Sequence, residues 1–328
     1  MAAQSVLVIG GNGIISGSAT RLALERGFDV TVVNRGLSTR HAPLVGVREL
    51  VGDATDAGSI ARAIGDESFD AVVNFRSFLP TQVAADIELF AGRTGQYVYI
   101  SSASAYQKPV AHLPITESTP LRNDFWQYSR DKIASEDVLV AAYRASGFPA
   151  TIVRPSHTYD QTLIPIEGGW TAIDRMRRGL PVLVHGDGTS LWTLTHARDF
   201  AVGLVGLLGN PVAVGDTFQI TSNFVYPWDA IFRMLADAAG AEPKLVHVAS
   251  ESIAAALPEL GPGLLGDKAH SVIFDNSKLR SVVPDFNPTT TFAQGAREIV
   301  DWYDAEESRR VVDDELNAKL DALIARHT

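Results

Sequence analysis

The fold is decided by residues 6–17, which read VLVIGGNGIISG. Four consecutive apolar residues at 6–9 predict a strand buried on both faces, as in a parallel sheet. Glycines follow, and an apolar-periodic run to Arg26 predicts a helix that ends at Gly27. A glycine turn between such a strand and a helix N-terminus allows the backbone to approach a pyrophosphate. An ordinary glycine-rich turn is the alternative, but the strand predicted next, at 29–33, favours a dinucleotide site.

Length and composition limit the classes of function. The chain has 328 residues, enough for about two domains, and its 46% hydrophobic content is typical of a soluble globular protein. A net charge of −10 argues against nucleic acid or an anionic membrane as partner. The absence of cysteine excludes disulfides, thiolate catalysis and cysteine-based metal sites, and no metal site is expected. Since no segment resembles a signal peptide or a membrane span, we expect a cytoplasmic protein.

Strands and helices alternate along the first half of the chain. Further strands are predicted at 47–51, 70–75, 96–101, 151–154 and 218–221. Helices are predicted from a cap at Asp56 to about Ile64, over about 81–91 and over 128–146. This alternation predicts right-handed βαβ crossovers and a doubly wound parallel sheet, so we expect a Rossmann-type α/β domain.

Residues that follow the second, third and fourth strands are expected to face the cofactor. The second strand ends in Asn34 and Arg35 without an acid, and because an Arg can accommodate a 2′-phosphate we expect NADP rather than NAD. Stacking of Arg35 on adenine, or its solvation, is the alternative. Asp53 could accept a hydrogen bond from the adenine amino group. Arg76 could reach a phosphate or a substrate carboxylate, or form an ion pair at the sheet edge.

Hydroxyl groups follow the fifth strand, and a Tyr–Lys pair follows in the next predicted helix. Ser102 lies at the carboxyl end of the strand, where ligands bind in open α/β sheets. Tyr128 and Lys132 are four residues apart, so on a helix they share one face. A nearby cation lowers the pKa of a tyrosine, which makes Tyr128 a candidate general acid/base for an alcohol oxygen. A helix surface pair without a role is the alternative.

In this order the motifs resemble the extended or atypical short-chain dehydrogenases/reductases, a group that contains nucleotide-sugar epimerases and dehydratases. The motifs are Gly10-x-x-Gly13, Gly52-Asp53, Ser101-Ser102 with Tyr106, Tyr128-x-x-x-Lys132 and Arg154-Pro155 with Tyr159. The resemblance implies an NAD(P) cofactor and hydride transfer. It also implies that Ser102 is the catalytic hydroxyl, Tyr128 the base and Lys132 its partner on the nicotinamide ribose. The cofactor-binding residues are then Gly10, Gly13, Ile14, Ile15, Asn34, Arg35, Asp53, Ala54, Phe75, Arg76, Tyr128, Lys132 and Pro155.

The same resemblance implies a division of the chain and a substrate site. Residues 1–163, with a return at 193–221, form the NAD(P)-binding Rossmann domain. Residues 164–192 and 222–328 form a smaller, mostly helical substrate cap, and a homodimer is expected by analogy. A small-molecule substrate is expected between the two parts. The candidate substrate residues are Ser104, His157, Trp170 and Trp192, and a basic helix with Arg175, Arg177 and Arg178 offers phosphate contacts by another route.

Several positions depart from the family pattern. Ser16 replaces the third glycine, and its small side chain still permits close helix–strand packing. Trp192 replaces the Arg that usually clamps nucleotide phosphates; it either stacks on a substrate ring or belongs to the core. His157 replaces a frequent Asn and is either a second acid/base or a hydrogen-bonded wall residue. Ala103 and Ser104 stand where a 4,6-dehydratase carries Asp-Glu, which disfavours that reaction.

The leading hypothesis is an NAD(P)-dependent epimerase or oxidoreductase that acts on an alcohol or ketone of a sugar or nucleotide sugar. One alternative is an NADPH-dependent reductase of a non-nucleotide carbonyl compound. Another is a non-catalytic dinucleotide-binding sensor or scaffold. The last is less expected because the chain keeps Ser102, Tyr128 and Lys132.

Overall fold

The computed structural model describes residues 3–36 and 41–327, and a seven-stranded parallel sheet is its central element. The strands are β1 (Ser5–Ile9), β2 (Asp29–Asn34), β3 (Arg48–Val51), β4 (Ala71–Asn74), β5 (Tyr97–Ile100), β6 (Ala150–Pro155), β7 (His157–Tyr159), β8 (Pro181–His185), β9 (Leu191–Trp192), β10 (Leu194–His196), β11 (Thr217–Ile220), β12 (Tyr226–Pro227) and β13 (Lys244–Val248). The main sheet has the order β11-β6-β5-β4-β1-β2-β3.

Helices flank this sheet and build the second part of the molecule. They are α1 (Ile14–Glu25), α2 (Ala57–Ile64), α3 (Pro80–Phe90), α4 (Gln127–Ser146), α5 (Trp170–Arg177), α6 (Ala197–Leu207), α7 (Trp228–Ala238), α8 (Ser250–Ala256), α9 (Gly261–Gly263), α10 (Ser277–Val282), α11 (Phe292–Asp304) and α12 (Asp314–Ile324). A π-helical turn spans Leu264–Lys268. Short 3₁₀ turns lie at Ala103–Ala105, Pro211–Ala213 and Glu307–Arg309.

The predicted Rossmann-type sheet is confirmed strand by strand. Each of its seven predicted strands is present, and no end differs by more than one residue. Asp56 caps α2 as expected, since its carboxylate accepts a hydrogen bond from the Gly58 backbone N–H. Within the described ranges, no helix has the length and apolarity that crossing a membrane requires.

Both faces of the main sheet are buried, because side chains alternate between two core layers along each strand. Val6 and Val8 of β1 face a layer that includes α1 and α6, whereas Leu7 and Ile9 face a layer that includes α2, α3 and α4. This double burial explains the uninterrupted apolar run that opens the chain. Because all strands of this sheet are parallel, their carboxyl ends lie at one edge, where the turns that follow them can meet.

The predicted cap is built around a second apolar core, formed by α5, α7 and α11 against two small sheets and shared with Tyr106 and Tyr159. In these sheets β8 pairs with β13 in parallel and β9 pairs with β12 antiparallel. One part of the predicted cap belongs elsewhere: Leu279, Val283 and Phe286 pack in the core layer of α1 and α6. Their apolar side chains are buried there because α10 returns to the main sheet beside β11.

Two glycines of α6 allow α10 and the segment after it to pack closely. A Cβ at Gly206 would overlap the Val283 side chain, and one at Gly203 would lie 2.8 Å from Ile220 Cγ2. We therefore predict that Gly206→Ala lowers the free energy of unfolding by about 1 kcal/mol or more. An overpacked core costs ~1–3 kcal/mol, which exceeds the gain in helix propensity.

Thermal or urea unfolding of the purified variant measures this loss. Gly58→Ala in the exposed first turn of α2 is the matched control, since the nearest atom to its Cβ would be Asp56 Oδ1 at 3.3 Å. Gly58→Ala should not lose stability. Equal unfolding transitions for Gly206→Ala and Gly58→Ala would contradict the proposed close packing.

Candidate active site

A cavity of about 820 Å³ lies along the carboxyl ends of β1, β2, β4, β5 and β6 and extends to the cap. It brings together nearly all of the predicted site residues. Those that line it are Gly10, Gly13, Ile14, Ile15, Asn34, Arg35, Asp53, Ala54, Phe75, Arg76, Ser102, Ser104, Tyr128, Lys132, Pro155, His157 and Trp192. This clustering follows from the parallel sheet, whose βα turns meet at one edge.

The turn after β1 has the geometry that a dinucleotide pyrophosphate needs. Gly10 has a φ of +83°, and a Cβ there would overlap the stem of Arg76. The side-chain oxygen of Asn12 is buried without a hydrogen-bond partner among the described residues. Ser16 Oγ accepts a hydrogen bond of 2.7 Å from the Gly13 N–H and thereby caps α1. The tight turn, the helix N-terminus and the unpaired Asn12 oxygen fit an NAD(P) cofactor.

The end of the cavity beside β2 and β3, where the adenosine is expected, is polar. Asn34 Oδ1 accepts a hydrogen bond from the Gly36 N–H at 2.7 Å and so shapes the turn that presents Arg35, an exposed side chain. Asp53 holds its own turn, since Thr55 donates to its carboxylate from both the backbone and the side chain, which lowers the pKa of Asp53. The Arg76 guanidinium lies 5.2 Å from the ring centroid of Phe78.

A histidine that the sequence analysis missed also lines this end. His41 Nε2 lies 2.7 Å from the Asp160 carboxylate, and Thr162 donates to the same Asp160 side chain. The contact joins the segment after β2 to the segment after β7, which are 119 residues apart in sequence. No periodicity or short motif in the sequence indicates such a pair.

Lys132 is buried beneath the centre of the cavity. Its ammonium donates to the carbonyl oxygens of Ser77 at 3.0 Å and Ile100 at 2.8 Å. It also lies 4.7 Å from the ring centroids of Phe78 and Tyr99. Burial lowers the pKa of Lys132 to about 7. The carbonyl and ring contacts fix the ammonium at the carboxyl end of β5, one helical turn from Tyr128.

Tyr128 lies over the cavity beside Trp126, with ring centroids 5.0 Å apart. Burial raises the pKa of Tyr128; a hydrogen bond from Ser102 lowers it, and the Asp267 carboxylate raises it. The expectation that Lys132 lowers this pKa is therefore wrong for the structure described. The Lys132 ammonium is 5.8 Å from the Tyr128 ring centroid, and desolvation of the phenol is the largest influence on its pKa.

Behind Ser102 lies a row of hydroxyl groups formed by Ser129, Ser104 and Ser102. Ser129 Oγ donates to Ser104 Oγ at 2.8 Å, and Ser104 Oγ is 2.9 Å from Ser102 Oγ. Each hydroxyl has one proton to donate. If Ser102 donates to Tyr128, then Ser104 must donate to Ser102, so the row runs in one direction toward the Tyr128 oxygen. Ser104, predicted to contact substrate, is 3% exposed and links Ser102 to Ser129.

The cap contributes a π-helical turn whose charged residues the sequence analysis also missed. Asp267 and Lys268 line the cavity from this turn, and Asp267 Oδ1 is 3.2 Å from Nζ of the buried Lys108. Lys268 pairs with Glu167 at 3.2 Å. Irregular π-helical turns are frequent at functional sites, but nothing local in this stretch of sequence indicates one.

Two predictions for the substrate end are corrected by the structure. Trp170 does not line the cavity; it packs in the cap core on Tyr303, with ring centroids 5.1 Å apart. The predicted basic helix, α5, offers no phosphate site at the cavity, because its arginines do not line the cavity and instead bind other groups of the protein. Arg175 is buried against the Pro181 carbonyl and Asp321, Arg177 pairs with Asp304, and Arg178 pairs with Asp174.

Comparisons with known proteins agree with this site and fold. The sequence model of the NAD dependent epimerase/dehydratase family matches residues 6–221. The chain is 28% identical to 2′-dehydrokanamycin reductase of Streptomyces kanamyceticus, over 98% of this chain and 90% of that protein. It is 32% identical to UDP-glucose 4-epimerase of Lactobacillus helveticus, over 46% of this chain and 51% of that protein.

Solved structures show the same fold. The structure of epimerase Mth375 from Methanothermobacter thermautotrophicus has a TM-score of 0.77 at 15% identity, and the match covers 94% of each chain. The curated relatives include a reductase, epimerases and dehydratases, so the expectation of an enzyme is confirmed. The chain therefore belongs to the NAD dependent epimerase/dehydratase family and is an NAD(P)-binding enzyme of the short-chain dehydrogenase/reductase type.

Proposed function

We propose that this enzyme reduces a ketone on a sugar-like compound that carries no nucleotide diphosphate, with NADPH as the hydride donor. The observation that carries the proposal is the placement of positive charge. Among the described residues, both arginines that line the cavity, Arg35 and Arg76, lie at the cofactor end. At the substrate end the lining cation is Lys268, which Glu167 already pairs. A diphosphate bound at the substrate end would find no cavity-lining arginine, among the described residues, to form bidentate hydrogen bonds with it.

In this proposal Tyr128 is the general acid. Because burial raises its pKa, the phenol keeps its proton at neutral pH and can give it to a ketone oxygen. When bound, NADPH would supply the hydride that the ketone carbon accepts; with the proton from Tyr128 this would balance reduction of the ketone to the alcohol. Ser102 donates to the Tyr128 oxygen, and with the hydroxyl row behind it stabilises the phenolate left on Tyr128.

The 2′-dehydrokanamycin reductase relative supports the reductase assignment, since its match extends over 98% of this chain. A second candidate is epimerisation of a sugar or nucleotide sugar with a retained cofactor, which the UDP-glucose 4-epimerase relative favours. The two differ in cofactor turnover. A reductase consumes NADPH stoichiometrically with a carbonyl substrate, whereas an epimerase retains its cofactor through dialysis and shows no net consumption.

We predict that Tyr128→Phe lowers kcat for NADPH-dependent ketone reduction by on the order of 10²-fold or more, because the general acid is lost. The assay follows NADPH absorbance with 2′-dehydrokanamycin and a panel of oxidised sugars as test compounds. NADPH affinity, measured by fluorescence titration, should change little.

The controls separate catalysis from folding. Tyr303→Phe makes the same change in the cap core, outside the cavity, and should retain turnover. Equal turnover by Tyr128→Phe and the wild type would contradict the acid role of Tyr128. Cofactor that survives dialysis, with no NADPH consumption for any carbonyl, would favour the epimerase.

We predict that Ser104→Ala lowers kcat by roughly 3- to 10-fold, the worth of one neutral hydrogen bond, and shifts the pH profile. Reduction requires protonated Tyr128 and falls as pH rises through its pKa. Removing a donor that stabilises the phenolate raises this pKa, so the falling limb should move to higher pH.

Ser135→Ala is the matched control for this prediction. Ser135 lies on the same helix as Ser129 and is equally buried at 0% exposed, but it is not part of the hydroxyl row. Its pH profile should match the wild type. Identical profiles for Ser104→Ala and Ser135→Ala would show that the row does not act on Tyr128.

We also propose that Arg35 selects NADP, because it lines the cavity directly after β2, and β2 ends in Asn34 rather than in an acid. Arg35→Ala should raise KM for NADPH about 10-fold or more, as expected for a lost hydrogen bond to a charged group, and leave KM for NADH nearly unchanged. Arg76→Ala is the comparison. Arg76 lies beside the turn after β1 that would hold the pyrophosphate of either cofactor, so its loss should raise KM for both NADPH and NADH. An equal rise in KM for NADPH and for NADH in Arg35→Ala would contradict the proposal.

A further inference from the structure

Two residues that depart from the family pattern are in direct contact at the substrate end. Trp192 stands in place of an Arg and His157 in place of an Asn, 35 residues apart in sequence. Trp192 Nε1 donates to His157 Nδ1 at 3.1 Å, and the rings meet edge to face with centroids 6.1 Å apart. The two positions are far apart in the sequence, but in the structure a hydrogen bond and a ring contact join their side chains.

This hydrogen bond fixes the tautomer of His157. An indole N–H can only donate, so the Nδ1 that receives it carries a lone pair rather than a proton. A neutral imidazole has one N–H, which must then be on Nε2. The ring lines the cavity, so this Nε2–H is the polar group that His157 can offer to a ligand.

The donor Trp192 is itself held rigidly. It is 2% exposed, its strand β9 pairs with β12, and its ring packs on Trp228 with centroids 5.2 Å apart. Trp228 Nε1 and His185 Nε2 both donate to the Lys268 carbonyl, at 3.2 and 3.1 Å. Trp192 is therefore fixed by the cap core and by the π-helical turn that carries Asp267 and Lys268.

His157 is also kept without charge. Burial lowers the pKa of His157 to about 3, and the nearby Lys268 ammonium acts in the same direction. The ring stays neutral across the physiological pH range, so it is not a second acid/base of the imidazolium type.

We propose that Trp192 and His157 form a fixed, neutral hydrogen-bond donor that determines which substrates bind. Trp192 holds Nδ1, so His157 offers Nε2–H to an uncharged oxygen acceptor, a hydroxyl or carbonyl group of the substrate. A neutral single donor favours such an oxygen, whereas the arginine fork it replaces matches a phosphate. The substrate class in this statement rests on the proposed reductase function, but the fixed tautomer does not.

Nitrogen NMR of the ligand-free protein tests the tautomer directly. The chain has 8 histidines, so a ¹⁵N-histidine sample with His157→Gln as the assignment variant identifies the His157 resonances. We expect the Nε2–H tautomer, unchanged between about pH 5.5 and 8.5. Trp192→Phe keeps an aromatic ring but removes the donor, so His157 should become a mixture of tautomers and protonate at a higher pH.

Trp302→Phe is the matched control, because it makes the same change in the cap away from the cavity and should leave the His157 signals unchanged. An Nδ1–H tautomer in the wild type, or identical His157 signals in Trp192→Phe and the wild type, would overturn the proposal. These outcomes do not depend on turnover.

Kinetics test the recognition step. With a ketone that the enzyme reduces, His157→Phe should raise KM by roughly 3- to 10-fold with a smaller change in kcat, and His157→Gln, which keeps an N–H donor, should restore part of the loss. An unchanged KM in His157→Phe would overturn the recognition role. Absence of any NADPH-dependent turnover would instead overturn the proposed function and leave the NMR result to decide the tautomer.

Discussion

The arrangement of the proposed catalytic residues depends on a buried ion pair between Arg154 and Glu136. Arg154 is 5% exposed and Glu136 is 2% exposed, and the guanidinium meets both carboxylate oxygens at 2.5–3.2 Å. Ser101 also donates to Glu136. The three residues belong to β6, α4 and the end of β5, and these same elements lead to His157, Tyr128 and Ser102. Removing one partner of such a pair costs ~3–5 kcal/mol because it leaves the other charge buried and unpaired.

The spacing of residues on α4 explains how one helix holds both the proposed catalytic pair, Tyr128 and Lys132, and the acid of this ion pair. Tyr128, Lys132 and Glu136 follow one another at intervals of four, so they lie along one face of the helix. That face looks toward the carboxyl ends of β5 and β6. Tyr128 reaches the cavity, Lys132 reaches the carbonyls beneath it, and Glu136 reaches Arg154. A shift of α4 along its axis would therefore displace Tyr128 and Lys132 and at the same time break the ion pair.

Local signals in the sequence predicted which residues of the βα turns and of α4 would meet at one cavity, because backbone geometry determines their positions. Gly10 and the apolar run before it require only a buried strand and a tight turn, and Tyr128 and Lys132 require only helical spacing. The contacts His41–Asp160 and Lys108–Asp267 could not be predicted, since each joins segments more than 100 residues apart. Trp170 was misassigned because an aromatic residue at the start of a cap helix fits a ligand site and a packed core equally well. The direction of the Tyr128 pKa shift required knowing its burial, which spacing alone does not give.

The end of the cavity proposed to bind substrate depends on long-range contacts rather than on local backbone geometry. Side chains from separate segments donate hydrogen bonds there to a single backbone carbonyl. The Lys268 carbonyl accepts from Trp228, His185 and Ser190, and this fixes the π-helical turn against the cap core. Asn123 donates to the Gly266 carbonyl at 2.7 Å, and a Cβ at Gly266 would lie 2.9 Å from the Asn123 side chain. Asn123 lies just before α4, so the turn that carries Asp267 is joined to the helix that carries Tyr128. Hydrogen bonds from side chains to the carbonyls of this turn thus set the position of the Asp267 carboxylate relative to the Tyr128 phenol, and the Asp267 charge acts on the Tyr128 pKa from a fixed position.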